Sequence, residues 1–460
     1  MIVNLLKPEL HELIKSGDWS GLRDVLEDVP AADLAEIIEE LDEDKALIIF
    51  RLVPESKSAQ VFTYLGKTIG IELIKRLSGE HIKQLLSEMS PDDRVSLVDN
   101  LPGNLIQRVL NSMEPDDLLE VKKLLGYPEN SVGRIMTTKY VRIKPEWTIE
   151  KSMQHIRDWG KSAETINVIY VVDENSKLID DLKLQQLILT PLELQVKSII
   201  DYSFVALNVS DDQEEAVKKL AKYDRVALPV IDGNGVLVGL VTADDIFDVA
   251  EEETTEDMQL MAGMKALDSD YSESSIGDMI KKRIGWLLVL FIGQILTATA
   301  LGVFQDILKS VVILSLFIPM ILSSGGNSGS QAATLIIRAL STDDINLKEW
   351  TNVFKREVLS GLILGLLVGI SGFIIITVWA YFGGITFNHV WWFSATAVAL
   401  SLISVVLFGN LLGSMMPFFL SKLGLDPAVT SGPFVSTISD VTGIVIYFSI
   451  AVTILKGVLF

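Results

Sequence analysis

The stretch Ser431–Ile450, SGPFVSTISDVTGIVIYFSI, sets one carboxylate, Asp440, inside an otherwise apolar run. The run has the length a helix needs to cross a bilayer, about 20 residues. A charge at the bilayer centre costs about 2.5–3.5 kcal/mol on insertion scales, so the acid needs a function or a partner that offsets the cost. On a helix its face carries Pro433, Ser436, Thr437, Gly443 and Tyr447, a small or polar stripe among Ile, Val and Phe. The Gly432–Pro433 pair removes a backbone donor and predicts a Val429 carbonyl without its helical partner. A carboxylate, a small-residue face and a freed carbonyl together read as a cation path, against the alternative of an Asp bonded to a neighbouring helix for packing.

Charge divides the chain around residue 280. Residues 281–460 hold 7 acids against 10 bases, whereas residues 1–280 hold 53 acids against 29 bases, within a net charge of −21. The first part reads as soluble and acidic, the second as a membrane domain. Five runs are apolar enough to span, at about 284–304, 311–339, 355–382, 391–417 and 428–455. Lys281, Lys282 and Arg283 precede the first, and Arg338, Lys355, Arg356 and Lys422 fall in loops that an odd–even count puts on the same side. The positive-inside rule then places the soluble part and these loops in the cytoplasm, in the cell's inner (plasma) membrane. Trp391 and Trp392, beside His389, suit the opposite interface, and the end of the chain at Lys456 lies outside.

Acidity argues against nucleic acid as partner and suits cations. With no cysteine, disulfides, thiolate metal sites and cysteine nucleophiles are excluded. His11, His81, His155 and His389 are scattered, without the spacing of a zinc centre. The N-terminal MIVNLLKPELHELIKSGDW has no basic start, apolar block and cleavage site, so no leader is expected.

Residues 1–130 are helical in pattern, with apolar residues at three- and four-residue spacing. PAADLAEII, SPDDRVSLV and EPDDLLEVK repeat a turn-and-cap unit, with proline at the start and acids in the first turn. Such units predict a small helical superhelix. Residues 131–248 alternate instead: INVIYVVDENSKLI and VALPVIDGNGVLVGLVTADDIFDVA are strand–turn–strand units about sixty residues apart, an internal duplication. Residues 249–280 form an acidic helix and linker; within 251–280 nine acids face one base, Lys265. Residues 281–460 are the five-helix membrane domain. The expected fold class is therefore mostly α and multi-domain.

In the second span, IPMILSSGGNSGSQAATLIIRAL puts Asn327, Gln331 and Thr334 on one helical face. Gly325, Gly326 and Gly329 let a helix or an ion approach the backbone. Close packing explains the glycines; it leaves two amides in hydrocarbon unexplained, so Asn327 and Gln331 are candidate polar pore-lining residues.

The second duplicated unit resembles a CBS domain (xPVxDxxGxLxGxVTxxD), and the first is a degenerate copy with Gln186 where the family has Asp. PMILSSGGNSGSQAATLIIRAL and DPAVTSGPFVSTISDVTGIVIYF resemble the signature helices of the MgtE family of magnesium channels. The domain order also matches: helical N-domain, tandem CBS domains, plug helix, five membrane helices. The resemblance implies a homodimer in the lipid bilayer with its pore on the two-fold axis and Asp440 of each copy facing the ion. Mg2+ dehydrates reluctantly, and Asp440, Ser436 and Gly432 offer the small, oxygen-rich lining that a hydrated ion needs.

The resemblance further implies a sensor in which regulatory Mg2+ bridges acidic domains and holds the pore shut. Positions matching the family's are Asp92 in the N-domain, Glu214, Asp224, Asp245 and Asp248 in the CBS pair, Glu253, Glu256 and Asp257 on the plug helix, and Asp426 before the fifth span. Gln60 and Ser96 stand where relatives can carry acids, with Asp93 or Asp99 as substitutes. ATP is a known modulator in the family; Arg225, where an aromatic could stack on adenine, and Gln186 weigh against it here. A secondary transporter for Mn2+ or Co2+, proton-coupled through Asp440, is the alternative, and a membrane-anchored nucleotide sensor or enzyme the third. No Walker loop, Ser–His–Asp set or catalytic carboxylate pair supports an enzyme.

Overall fold

The structure, a computed structural model, describes residues 12, 13, 16, 18–267, 271, 272, 274–342, 344–382 and 391–456. His11, His389, Asp343 and most of the stretch read for a leader lie outside the described residues. Two compact units divide between Glu251 and Glu252.

Between Trp19 and Leu124 the described chain folds into nine helices of eight to ten residues. Their starts follow the local chemistry. Asp18, Asp42, Ser78 and Ser90 each accept a backbone N–H of the first turn, and Pro91 and Pro115 sit where a missing N–H costs nothing. The helices are too short to persist alone. Each packs mainly on the helix two places along, which winds the row into a superhelix around Leu22, Leu34, Ile38, Ile49, Ile74 and Ile82. Arg94 is buried at 2% exposure, yet its guanidinium is satisfied: Nε donates to Leu86 O and Nη1 to Asp117 Oδ1, both at 2.7 Å.

The duplication in residues 131–248 appears as two sheets of identical topology. In one, β1 (Arg142–Ile143) pairs in parallel with β2 (Val168–Val172), which pairs antiparallel with β3 (Leu178–Lys183). In the other, β4 (Leu207–Asn208), β5 (Ala227–Ile231) and β6 (Leu237–Thr242) repeat the pattern. Asp173 and Asp232 close the equivalent turns, each accepting two backbone N–H groups. Ser176 and Gly235 occupy the same left-handed turn position. In the register Asp181 lies opposite Tyr170 where Leu240 lies opposite Pro229. The degenerate copy thus keeps the fold while placing two acids, Asp180 and Asp181, on the outer strand β3.

The helix after β6 runs unbroken from Ala243 to Met261. The expected boundary at 248 falls inside it, so the plug helix continues the last CBS helix rather than starting afresh.

In the second unit five helices are long and apolar enough to cross a membrane: Ile276–Val303, Val312–Ser341, Leu347–Tyr381, Trp391–Lys422 and Gly432–Leu455. They are numbered one to five here. Lys281, Lys282 and Arg283 lie within the first helix rather than before it. The second and fourth cross backbone to backbone. A Cβ on Gly409 would stand 2.2 Å from Gly325 O, and one on Gly413 1.9 Å from Gly329 O. The GG and GxxxG spacing therefore serves helix packing, driven by close van der Waals contact since lipid supplies no hydrophobic force. Tyr447, buried at 1% exposure, donates its hydroxyl to Leu314 O at 2.9 Å.

Candidate ion pathway and acidic cluster

The fifth span starts at Gly432, capped by Ser431, whose Oγ accepts from Phe434 N. Pro433 occupies the first turn, where its missing N–H frees no carbonyl. The expectation for Val429 is corrected: its carbonyl accepts from Ser431 N at 2.6 Å, because a separate 3-10 turn, Pro427–Val429, precedes the helix.

The stripe around Asp440 is shared among neighbours. Ser330 Oγ of the second span donates to Gly432 O at 3.1 Å and lies 3.3 Å from Ser436 Oγ. Gly326 leaves room for Ser436, since a Cβ there would meet its Oγ at 2.9 Å. Gly443 and Tyr447 are buried in the bundle, so the small-residue face does not continue as lining past Asp440. Asp440 is half-buried, and its Oδ2 accepts from Gln294 Nε2 of the first span at 3.1 Å. Sequence reading missed Gln294. The available signal was an amide in the middle of an apolar run, the same anomaly that marked Asp440.

Asn327, Gln331 and Thr334 share an exposed face of the second span with Ser323, whose Oγ accepts from Asn327 Nδ2 at 3.2 Å. A second membrane-side acid was also missed. Glu357, near the start of the third span, accepts from Asn410 Nδ2 at 2.6 Å, and Asn410 itself is buried at 3% exposure. This pair ties the third and fourth spans together and leaves Asp440 as the acid deep in a span among the described residues.

The end of the plug helix is docked within the same unit. Leu260 and Met261 pack beside Ala333, Ile337, Ala428 and Val435, and Asp257 Oδ2 accepts from Ser341 Oγ at 3.3 Å. Gly263, at φ +77°, lies against Trp286, where a Cβ would stand 2.6 Å from the indole. Trp286 Nε1 donates to Ser431 Oγ at 3.1 Å, at the cap of the Asp440 helix. Asp426 is exposed and caps the 3-10 turn through Ala428 N at 2.7 Å. Glu253 and Glu256 are half-buried on the plug helix.

In the first unit Asp92 and Asp93 of the superhelix meet Asp244 and Asp245 of the second CBS module and Glu164 of the first. Burial raises the Asp92 carboxyl well above its ordinary range, with Asp245, Asp93 and Glu164 adding repulsion. Burial also raises Asp93 and Glu164. It pushes Asp245 up to about 7 although Thr242 donates to its carboxylate from both N and Oγ1. Among the described residues Asp92 Oδ1 is buried without a hydrogen-bond partner. Asp99, the other acid weighed here, is paired: Arg134 Nη1 donates to it at 2.9 and 3.0 Å.

Glu214 pairs with Lys218 at 3.1 Å, and the exposed Asp224 caps the same helix at φ 48°. Asp248 is exposed on the helix that carries Asp245. Arg225 Nη1 donates to the buried Asp181 at 2.9 Å, and Gln186 Oε1 accepts from Lys183 N. Among the described residues no three acids or histidines converge closely enough to hold an ion unaided. Mg2+ commonly keeps several waters and takes one or two carboxylates from protein, which suits carboxylates near enough to repel each other, such as Asp92 and Asp245.

Five apolar helices with a mid-span carboxylate, joined to a superhelix and a CBS pair, define a multi-pass membrane protein of the ion-transport class with a soluble N-terminal part. Family models agree region by region: the MgtE intracellular N domain at 29–130, the CBS domain at 132–182 and 196–252, and MgtE, a divalent cation transporter, at 318–450. The chain is 36% identical to the magnesium transporter MgtE of Thermus thermophilus, over 98% of this chain and 99% of that one. It is 31% identical to that of Bacillus subtilis, over 93% and 95%. The solved cytosolic domain of the Mg2+ channel MgtE in complex with ATP is 34% identical, with a TM-score of 0.51, and matches 52% of this chain and 98% of that one. The chain belongs to the MgtE family.

Proposed function

We propose that this protein is a homodimeric Mg2+ channel, selective for that ion, whose soluble N-terminal part lies in the cytoplasm of a plasma-membrane protein and senses Mg2+. The observation that carries the reading is the half-buried Asp440 in the middle of the fifth span. The exposed polar face of Ser323, Asn327, Gln331 and Thr334 supports a dimer, because side chains of this kind in a span face a bundle interior or a wet cavity, not lipid. A second copy set against that face would bring two Asp440 carboxylates towards one axis, with Gly432 and Ser436 beside them, and balance a divalent charge. Full-length protein in liposomes should pass Mg2+ down its gradient without a pH gradient; flux that requires proton exchange would instead make it a coupled transporter.

Asp92, Asp93 and Asp245 fit regulatory Mg2+, since Asp92 presents an orphaned buried oxygen to like charges. Glu214, Asp224, Asp248, Glu253, Glu256, Asp257 and Asp426 would act with them in holding the closed state. A bound divalent cation favours the compact arrangement by its differential affinity for it. The pairing of Arg225 with Asp181 weighs against phosphate or adenine there, so ATP is a secondary possibility.

The acid cluster gives a signed expectation. A carboxyl whose folded-state value is raised binds its proton more tightly when folded. Its stabilising contribution is therefore present below the ordinary aspartate value of 3.8 and is lost as pH rises through about 7. In EDTA the soluble part should unfold at lower temperature as pH climbs across that window. Asp245→Asn should raise the unfolding temperature at pH above that window by about 2–4 °C, on the order of 1 kcal/mol, and shrink the further rise on adding millimolar Mg2+. An unchanged Mg2+ response, followed by scanning calorimetry, would remove Asp245 from the sensor.

A further inference from the structure

The first span carries an unexplained amide. Around it the helix exposes Leu287, Leu288, Phe291, Ile295 and Leu296, and the one other exposed polar side chain in its second half, Thr299, donates back to Ile295 O. The face it turns to the fifth span differs. Trp286 bonds Ser431, and Phe304 stacks on Phe448 with centroids 4.9 Å apart, so both ends are fixed. Between them Gly293 admits Thr437, whose Cγ2 would lie 2.3 Å from a Cβ there. This close approach brings Gln294 Nε2 to 3.1 Å from Asp440 Oδ2. One turn on, Thr297 is the span's buried residue, and its hydroxyl is unpartnered among the described residues. Anchoring alone requires no amide in hydrocarbon, where an unmet polar group is costly.

We propose that Gln294 is a positioning residue for the ion pathway: it holds one oxygen of Asp440 so that the other faces the permeating, hydrated cation, and thereby sets Mg2+ affinity. The proposal rests on the reading of Asp440 as the pore carboxylate. An aspartate side chain has two free torsions; a directional donor on Oδ2 selects one rotamer and leaves Oδ1 for the water shell of the ion. The amide's own Oε1 remains an acceptor for a second water of that shell.

The test uses the full-length protein in liposomes, with Mg2+ influx followed against Mg2+ concentration and dimer assembly checked by size. Gln294→Met keeps the volume and loses the donor. It should raise the half-saturating Mg2+ concentration about tenfold, the loss expected for one charge-assisted hydrogen bond, with maximal flux little changed. Gln294→His, assayed above the histidine titration range, keeps an N–H the same number of bonds from Cα and should stay near the wild-type affinity. A purely structural role would move both variants alike. Equal affinity in Met and wild type, or equal losses in Met and His, overturns the proposal; if the Met variant does not assemble, Gln294→Leu replaces it in the comparison. Asp440→Asn is run in parallel. If it leaves flux intact, the pore reading itself fails; if it abolishes flux while Gln294→Met behaves as wild type, only the role of Gln294 fails.

Discussion

Asp440→Asn should abolish Mg2+ flux through reconstituted protein, a loss of at least ~100-fold, while the protein still assembles as the wild type does. The change preserves shape and removes charge. Asn can still meet Gln294, which sits 3.1 Å from the carboxylate, so packing between the first and fifth spans should survive. What is lost is the negative charge that offsets the electrostatic cost of carrying a hydrated dication through a low-dielectric path. A packing role predicts the opposite ranking: Asp440→Asn would be tolerated, and near-normal flux from it would refute the pore assignment.

The second large effect is expected at the crossing of the second and fourth spans. Gly413→Val should prevent the membrane domain from folding, seen as loss of monodisperse protein in detergent. Its Cβ would lie 1.9 Å from Gly329 O, and a backbone carbonyl cannot rotate away as a side chain can. Overpacking a core with side-chain neighbours costs about 1–3 kcal/mol; here two helices must separate, so the loss should be larger. Gly302, whose Cβ would meet nothing within 4 Å, should accept alanine with little change. A stable, monodisperse Gly413→Val protein would show that these helices are not held at this distance.

How far the sequence revealed this fold depends on the range of the signal. Apolar runs, Pro and Asp caps and the Asp-headed turns at 173 and 232 are local, and they yielded the five spans, the superhelix and the duplicated CBS units. Asp440 stood out for the same reason, as a charge where hydropathy forbids one. Partnerships between helices were not legible. Helical periodicity places Gly443 and Tyr447 with Asp440, but cannot say that Val405 and Leu322 cover Gly443, or that Leu314 takes the tyrosine hydroxyl. The glycines of the second span could serve ion or helix, and the carbonyls of Gly325 and Gly329 against Gly409 and Gly413 decide for the helix. The Val429 carbonyl is not freed, because Pro433 stands in the first turn of a helix that begins at Gly432 rather than inside one. The grouping of Asp92 and Asp93 with Asp245 joins segments some 150 residues apart. No period or motif in the residues themselves encodes that meeting; it came from resemblance.

The most direct measurement is the density around Asp440 in the full-length protein, held in lipid with and without millimolar Mg2+. Two copies should place their Asp440 carboxylates on either side of a two-fold axis, with a hydrated ion between them and Gln294 behind each. Carboxylates directed away from that axis, each satisfied within its own subunit and with no ion on the path, would contradict the account.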